Sequence, residues 1–202
     1  EASDDPFVVL ARGLMRERAA RDLREETRDG ARLVVGRRWI EAQQEWRGKS
    51  FYPDANSTMR VSIASVKGYE PRDGMFALPH TTVEGLLAKD TGVEPFDAPD
   101  ALTAAAEGRR DSRFFDQQIG DVPVCFLSDG DTTGGNSGSP VINGAGELVG
   151  LNFDRVFEAV SGDFGWNAER SRNISVDIRF VLWFMEQAMP APHLLEEMGL
   201  GG

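Results

Sequence analysis

The sequence predicts a mainly β chain with helices, in which a β-barrel occupies the later part, a helical segment precedes it and a helix closes it. Three observations carry this. Apolar residues recur at helical spacing over residues 1–48. Short period-two runs punctuated by Gly-rich turns fill residues 58–66 and 121–176. A last apolar run with helical spacing extends from Asp177 to Met189. Two domains are expected, a helical segment at 1–48 and a barrel with its closing helix at 49–202.

Each element has a local cause. Asp4-Asp5-Pro6 forms an N-terminal cap with Pro in the first turn, and Phe7, Leu10, Leu14 and Met15 follow on one face. Asp29-Gly30 breaks that pattern. Leu33, Arg37, Ile40 and Gln44 then line a second helix that stops near Gly48, so a helical hairpin is predicted. Thr58 to Val66 alternates with period two, a strand signal. Gly68, Pro71 and Asp73-Gly74 mark turns, Thr81 to Lys89 a short helix, and 100–108 another within a loop-rich stretch. Strands are expected at Val122 to Leu127, Pro140 to Ile142, Glu147 to Phe153 and Arg172 to Val176, with Asn143-Gly144 turning the central hairpin.

Composition narrows the function classes. The net charge of −11 argues against nucleic acid, whose partners carry a basic footprint, and weakly against an anionic membrane surface. No stretch approaches the roughly 20 apolar residues of a membrane span. The chain opens Glu1-Ala2-Ser3-Asp4-Asp5 and carries no export signal, as a processed form or a piece of something longer would. The single cysteine, Cys125, sits in an apolar run and reads as a buried, inert thiol. With only two histidines beside it, a zinc site is not expected.

The segment Asp131-Thr132-Thr133-Gly134-Gly135-Asn136-Ser137-Gly138-Ser139-Pro140 carries the chemistry. A serine nucleophile needs its hydroxyl on a tight turn and backbone N–H groups that converge where a substrate carbonyl becomes negative. Glycines permit that backbone. Here the N–H groups of Gly135 and Ser137 can point at one spot, an oxyanion hole. A P-loop is excluded by the absence of Lys. An α/β-hydrolase elbow would need Gly two residues after Ser137, where Ser139 stands, and a helix where Pro140-Val141-Ile142 reads as a strand. A plain Gly/Ser-rich turn remains the alternative.

The block from Thr133 to Arg155 resembles bacterial serine dipeptidyl peptidases of the seven/eleven type. So do Phe51 to Asn56, Met59-Arg60-Val61 and Arg172 to Leu182, which together span roughly residues 51–189. The resemblance implies a chymotrypsin-like double barrel with an inserted helical domain. Residues 1–48 would end that insert and the remainder would form the C-terminal barrel. It implies an exopeptidase that releases dipeptides from peptides with a free N-terminus in the periplasm of Gram-negative bacteria. By position, Ser137 matches the nucleophile, and Gly135 and Ser137 the oxyanion-hole amides. Asn152-Phe153-Asp154-Arg155 matches a stretch lining the substrate site. Asp154 would hold the substrate's α-ammonium, or be a turn residue at a strand end. Arg155 would read the P1 side chain where the hydrophobic-preferring subtype has Gly. A guanidinium there can pair with an Asp or Glu carboxylate through two N–H donors. Its alternative is a surface pair with Glu158 or Asp154.

The resemblance places the triad His and Asp upstream of the helical insert, outside this sequence. Neither His80, in an expected loop, nor His193, past the closing helix, matches a catalytic position, and both read as surface residues. The chain alone is therefore expected to be inactive. Its implied partners are peptide substrates and the missing N-terminal barrel. The face that barrel would cover makes a homodimer a further expectation. No metal or organic cofactor is implied. Two other readings stay open: a non-catalytic module that binds acidic peptides, and the same peptidase with hydrophobic P1 preference.

Overall fold

The computed structural model describes residues 4–48, 50, 51, 57–163 and 165–201. The chain divides into two compact units, Glu1–Ser57 and Thr58–Gly202. The resemblance stretch at 52–56 lies outside the described residues.

The first unit is one helix, α1 (Pro6–Arg47). The Asp5 carboxylate accepts from the N–H of Phe7 at 2.8 Å and of Val8 at 3.3 Å, which satisfies two donors left open at a helix start. Gly48 ends the helix with φ +63, a left-handed cap. The predicted hairpin is not formed, because α1 runs straight through Asp29-Gly30. A mid-helix glycine costs only about 1 kcal/mol against alanine. Asp29 meets this part of the helix by pairing with Arg32 one turn on, at 3.4 Å.

The second unit opens with a hairpin, β1 (Tyr69–Arg72) and β2 (Met75–Ala77), that turns at Asp73-Gly74 with Gly74 at φ +73. Its other strands are β3 (His80–Thr82), β4 (Pro123–Ser128), β5 (Pro140–Ile142), β6 (Leu148–Arg155) and β7 (Asn173–Asp177). They form one antiparallel sheet in the order β3-β4-β7-β6-β5. The strands predicted from 122 onward are all present. Pro140 opens an edge strand, where its missing N–H does no harm.

No ladder joins β3 to β5 among the described residues, so the sheet is open and the predicted barrel is not closed. The segment predicted as a strand at 58–66 explains why. It touches the sheet through one bridge, Val66 to Ser128, and through the bonds Lys67 N–H to Leu127 O at 3.0 Å and Asp129 N–H to Ser65 O at 3.1 Å. Its alternating residues Met59, Val61 and Ile63 are 92%, 77% and 94% exposed. The alternation is present in the sequence, but among the described residues no second layer covers it.

One face of the sheet is unusually polar for a core. Cross-strand partners share a face, which puts Phe126 and Ser128 of β4 beside Asn173, Ser175 and Asp177 of β7 and Gly150 and Asn152 of β6. Phe126 lies on the bare backbone of Gly150, where a Cβ would come within 2.6 Å of the ring and 2.5 Å of the Val176 carbonyl. A separate apolar cluster of Val83, Leu102, Ala106, Val122 and Trp183 joins three helices, α2 (Val83–Leu87), α3 (Asp100–Glu107) and α4 (Ile178–Trp183). The Asp177 carboxylate caps α4 by accepting from Arg179 N–H at 2.9 Å. The closing helix then widens into a π turn over Phe184–Ala188 before a short α5 (Pro192–Glu197). No helix among the described residues is long and apolar enough to cross a membrane.

Two sequence expectations need correction here. His80 lies in β3 opposite Phe126, half-buried, and burial pushes its imidazole below its ordinary value. Cys125 is half-buried rather than buried, because its side chain sits on the sheet face opposite Phe126; its thiol is still raised by desolvation.

Arg172 enters β7 with only 2% of its surface exposed. Its guanidinium donates to the carbonyls of Gly68, Ala168, Ser171 and Glu169 at 2.7 to 3.1 Å and lies over the Tyr69 ring. One buried cation thus ties the loop at 168–171 to the start of β1. Arg172→Met strands those carbonyls and lowers stability by about 3 kcal/mol, read from the urea midpoint.

The Asp116 carboxylate accepts from the N–H groups of Gln118 and Ile119 and pairs with Arg179 at 2.6 Å. The Ile119 N–H and Arg179 hold it below the usual carboxylate range. Its contribution to stability is therefore full above its ordinary value and is lost as pH falls through the lower folded one. Asp116→Asn lowers stability at neutral pH and removes that component of acid destabilisation, which denaturant titrations between about pH 3 and 7 will measure.

Candidate active site

Two consecutive turns build the loop around Ser137. The N–H of Asn136 bonds to the Thr133 carbonyl at 3.1 Å, and that of Ser139 to the Asn136 carbonyl at 3.0 Å. Each turn has glycine in its third place with positive φ, Gly135 at +102 and Gly138 at +80. Residues with a Cβ resist that conformation, which accounts for glycine at both. The Asn136 side chain tightens the first turn by accepting from Thr133 N–H at 3.0 Å. Ser137 is left exposed at the second position of the second turn. Among the described residues, the N–H groups of Gly135 and Ser137 donate to nothing within the protein.

Strand β6 holds this loop. Gly138 N–H donates to the Asn152 carbonyl at 2.7 Å, and Asn152 N–H to the Ser139 carbonyl at 2.9 Å. The next residue, Phe153, is bulged. Asn152 pairs with Ser175 and Asp154 with Ile174, so Phe153 has no partner on β7. A bulge re-aims the backbone, and the Phe153 carbonyl accepts from Ser137 Oγ at 3.3 Å.

The two ends of this arrangement meet in one place. Thr132, Thr133, Gly134, Ser137, Asn152, Phe153, Asp154 and Arg155 line an open hollow of about 130 Å³. Arg155 also lines a neighbouring hollow with Asp131, Gly162, Trp166 and Arg172, and its Nη1 lies 3.6 Å from where a Cβ on Gly162 would sit. Burial raises the Asp131 carboxyl above its ordinary value. Asp154 accepts from the N–H of Arg155 at 2.8 Å through Oδ1. The Glu158 carboxylate, one of the two surface partners weighed for Arg155, accepts from the Tyr69 hydroxyl at 2.8 Å.

All the site residues singled out in the sequence therefore lie on this loop or on β6. Neither histidine bonds to Ser137, whose hydroxyl finds only the Phe153 carbonyl among the described residues. No group of three or more His, Cys, Asp or Glu side chains that could hold a metal occurs among the described residues. Trp166 was not foreseen, since it lies in a segment with no periodicity. Asn173 and Ser128 were not foreseen either, although polar residues at alternate positions of an inward-facing strand, Asn173, Ser175 and Asp177, are a legible signal.

Comparison with known proteins gives the family. The family model described as Peptidase S46 matches residues 1–200. An Asp/Glu-specific dipeptidyl-peptidase of Shewanella putrefaciens is 39% identical over 99% of this chain and 31% of its own length. A dipeptidyl-peptidase 7 of Porphyromonas endodontalis is 46% identical over 73% of this chain and 18% of its own. Among solved structures, the DPP11 of Porphyromonas endodontalis in complex with the dipeptide Arg-Asp superposes with a TM-score of 0.72 and 35% identity, covering 78% of this chain and 23% of that one. The chain thus spans less than a third of the length of the relatives it matches. With that family model matching nearly its whole length, the chain belongs to the peptidase S46 family.

Proposed function

We propose that the protein containing this chain is a serine exopeptidase that releases N-terminal dipeptides with Asp or Glu at P1. The observation that carries the reading is that Ser137 and Arg155 line one hollow, with Asp154 between them in sequence. Two further facts support it. A relative aligned along nearly the whole chain is named for Asp/Glu specificity, and the structural neighbour was solved with Arg-Asp and with Arg-Glu.

In this mechanism Ser137 Oγ attacks the carbonyl carbon of the second peptide bond while a histidine upstream of this chain takes its proton. The tetrahedral oxyanion is met by the N–H groups of Gly135 and Ser137. The C–N bond then breaks, and the histidine gives the proton to the leaving amine. Water hydrolyses the acyl-enzyme and frees the dipeptide. Asp154, whose Oδ1 accepts from the Arg155 N–H, counts residues by pairing with the α-ammonium. Arg155 attracts a P1 carboxylate, which offers its N–H donors two acceptor oxygens, whereas an aliphatic P1 offers them none. Phe153, 47% exposed, offers an apolar wall to the bound dipeptide.

The domain reading follows: residues 1–48 end a helical insert, and residues 49–202 form the half of the catalytic unit that carries the nucleophile. The N-terminal barrel supplies the remaining triad members, so this chain alone is inactive. A periplasmic location and a homodimer complete the proposal.

The test uses the complete protein and fluorogenic Xaa-Asp and Xaa-Leu substrates with free N-termini. Xaa-Asp should be cleaved far faster, and Ser137→Ala should abolish turnover of both. Arg155→Gly should lower the Asp-to-Leu ratio of kcat/KM by on the order of 100-fold. A ratio unmoved by Arg155→Gly would remove Arg155 as the selector. Binding of acidic dipeptides with no cleavage by the wild-type protein would instead favour a binding module.

A further inference from the structure

The turn that carries Ser137 is held at the Asn136 carbonyl by a run of polar side chains that the reaction itself does not use. Asn152, 6% exposed, donates through Nδ2 to the Asn136 carbonyl at 3.2 Å. Its Oδ1 accepts from Asn173 Nδ2 at 2.8 Å. Asn173, also 6% exposed, in turn accepts at Oδ1 from the Ser128 hydroxyl. The donors all run one way, from β4 through β7 and β6 to the loop, so each amide's orientation is fixed by the one before it.

The last acceptor in this run matters most. The Asn136 carbonyl belongs to the peptide unit whose N–H is that of Ser137. A trans peptide is planar, with C=O and N–H pointing in opposite directions. Holding the carbonyl inward toward Asn152 Nδ2 and Ser139 N–H therefore aims the Ser137 N–H outward. Rotating that peptide would break both bonds and turn the N–H away from the site. With glycines on both sides of the Asn136-Ser137 pair, at 135 and 138, the loop itself offers little resistance to such rotation.

We propose that Ser128, Asn173 and Asn152 are positioning residues that lock the Asn136–Ser137 peptide with its N–H in the oxyanion hole. This rests on the peptidase reading of Ser137. A hydrogen-bonded network with every member satisfied is rigid, and removing one link leaves buried polar atoms unpaired. The role is specific to the transition state, since the N–H meets full negative charge only there.

The experiment compares Asn152→Ala, Asn173→Ala and Ser128→Ala in the complete protein. Two ligands are used besides an Xaa-Asp substrate. A dipeptide aldehyde adds Ser137 Oγ to its carbonyl and forms a tetrahedral oxyanion, whereas the corresponding dipeptide alcohol, with no carbonyl and no charge there, does not. The Asn variants should lower kcat by about 100-fold with KM within about twofold, and weaken the aldehyde by the same factor. Affinity for the alcohol should be unchanged in Asn173→Ala and Ser128→Ala, at residues outside the lining of the hollow. Ser128→Ala, three bonds from the loop and the mildest of the set, should show the same pattern at about tenfold, and it decides the matter if the Asn variants do not fold. Variants that lose thermal stability but keep kcat and aldehyde affinity would overturn the proposal, as would equal weakening of aldehyde and alcohol in Asn173→Ala and Ser128→Ala. A wild-type protein that neither cleaves the substrate nor binds the aldehyde covalently would instead overturn the peptidase reading, and the relay's role with it.

Discussion

Two backbone hydrogen bonds join the turn that carries Ser137 to the sheet, Gly138 N–H to the Asn152 carbonyl and Asn152 N–H to the Ser139 carbonyl. Ser137 stands directly beside this clamp, and the rest of the site follows from it. Because the turn is pinned at Asn152, the bulge at Phe153 falls opposite Ser137, and Asp154 and Arg155 emerge along the same hollow. A glycine-rich loop is costly to order, since glycine loses more freedom on folding than any other residue. Strand β6 offsets that cost by being a central strand with neighbours on both sides, β5 and β7.

The inward face of the sheet is built for orientation as much as for burial. Asn173, Ser175 and Asp177 alternate along β7 where Val or Ile would bury more apolar area. Asp177 caps α4 and pairs with Arg179, and Asn173 orients Asn152. Apolar burial is supplied elsewhere, by the cluster around Trp183 and by Phe126 over Gly150. Arg172 supplies a third kind of constraint, with backbone carbonyls as its partners. Fixed amides and a fixed guanidinium specify geometry more narrowly than apolar contacts, which tolerate repacking.

How much of this was legible in the sequence depended on the range of the interactions. The strands at 122–127, 140–142 and 172–176 and the helix at 100–108 were readable because their signals are local. So was the cap at Asp5 and the turn chemistry around Ser137. The hairpin predicted at Asp29-Gly30 was not formed, since one glycine inside a long run of helix formers is a small local penalty. The 58–66 segment has a strand's alternation, but among the described residues no layer covers it and its apolar residues stay exposed. His80 was read as a loop residue because β3 is three residues long, too short to show a period. The site residues on β6 were found through resemblance and not through spacing. The amide relay was missed because it links residues 128, 136, 152 and 173, which only strand pairing brings together.

The central claim is that Ser137 is a nucleophile presented by this clamp. The most direct measurement is covalent trapping in the complete protein with a dipeptidyl fluorophosphonate carrying a free N-terminus and an acidic P1 group. The serine oxygen displaces fluoride and keeps the phosphonyl group, and mass spectrometry of the digested protein locates it. The account predicts a single adduct on Ser137, formed more slowly when Xaa-Asp substrate competes. A protein that stays unlabelled under conditions where its fold is intact, or that is labelled on another serine, would contradict it.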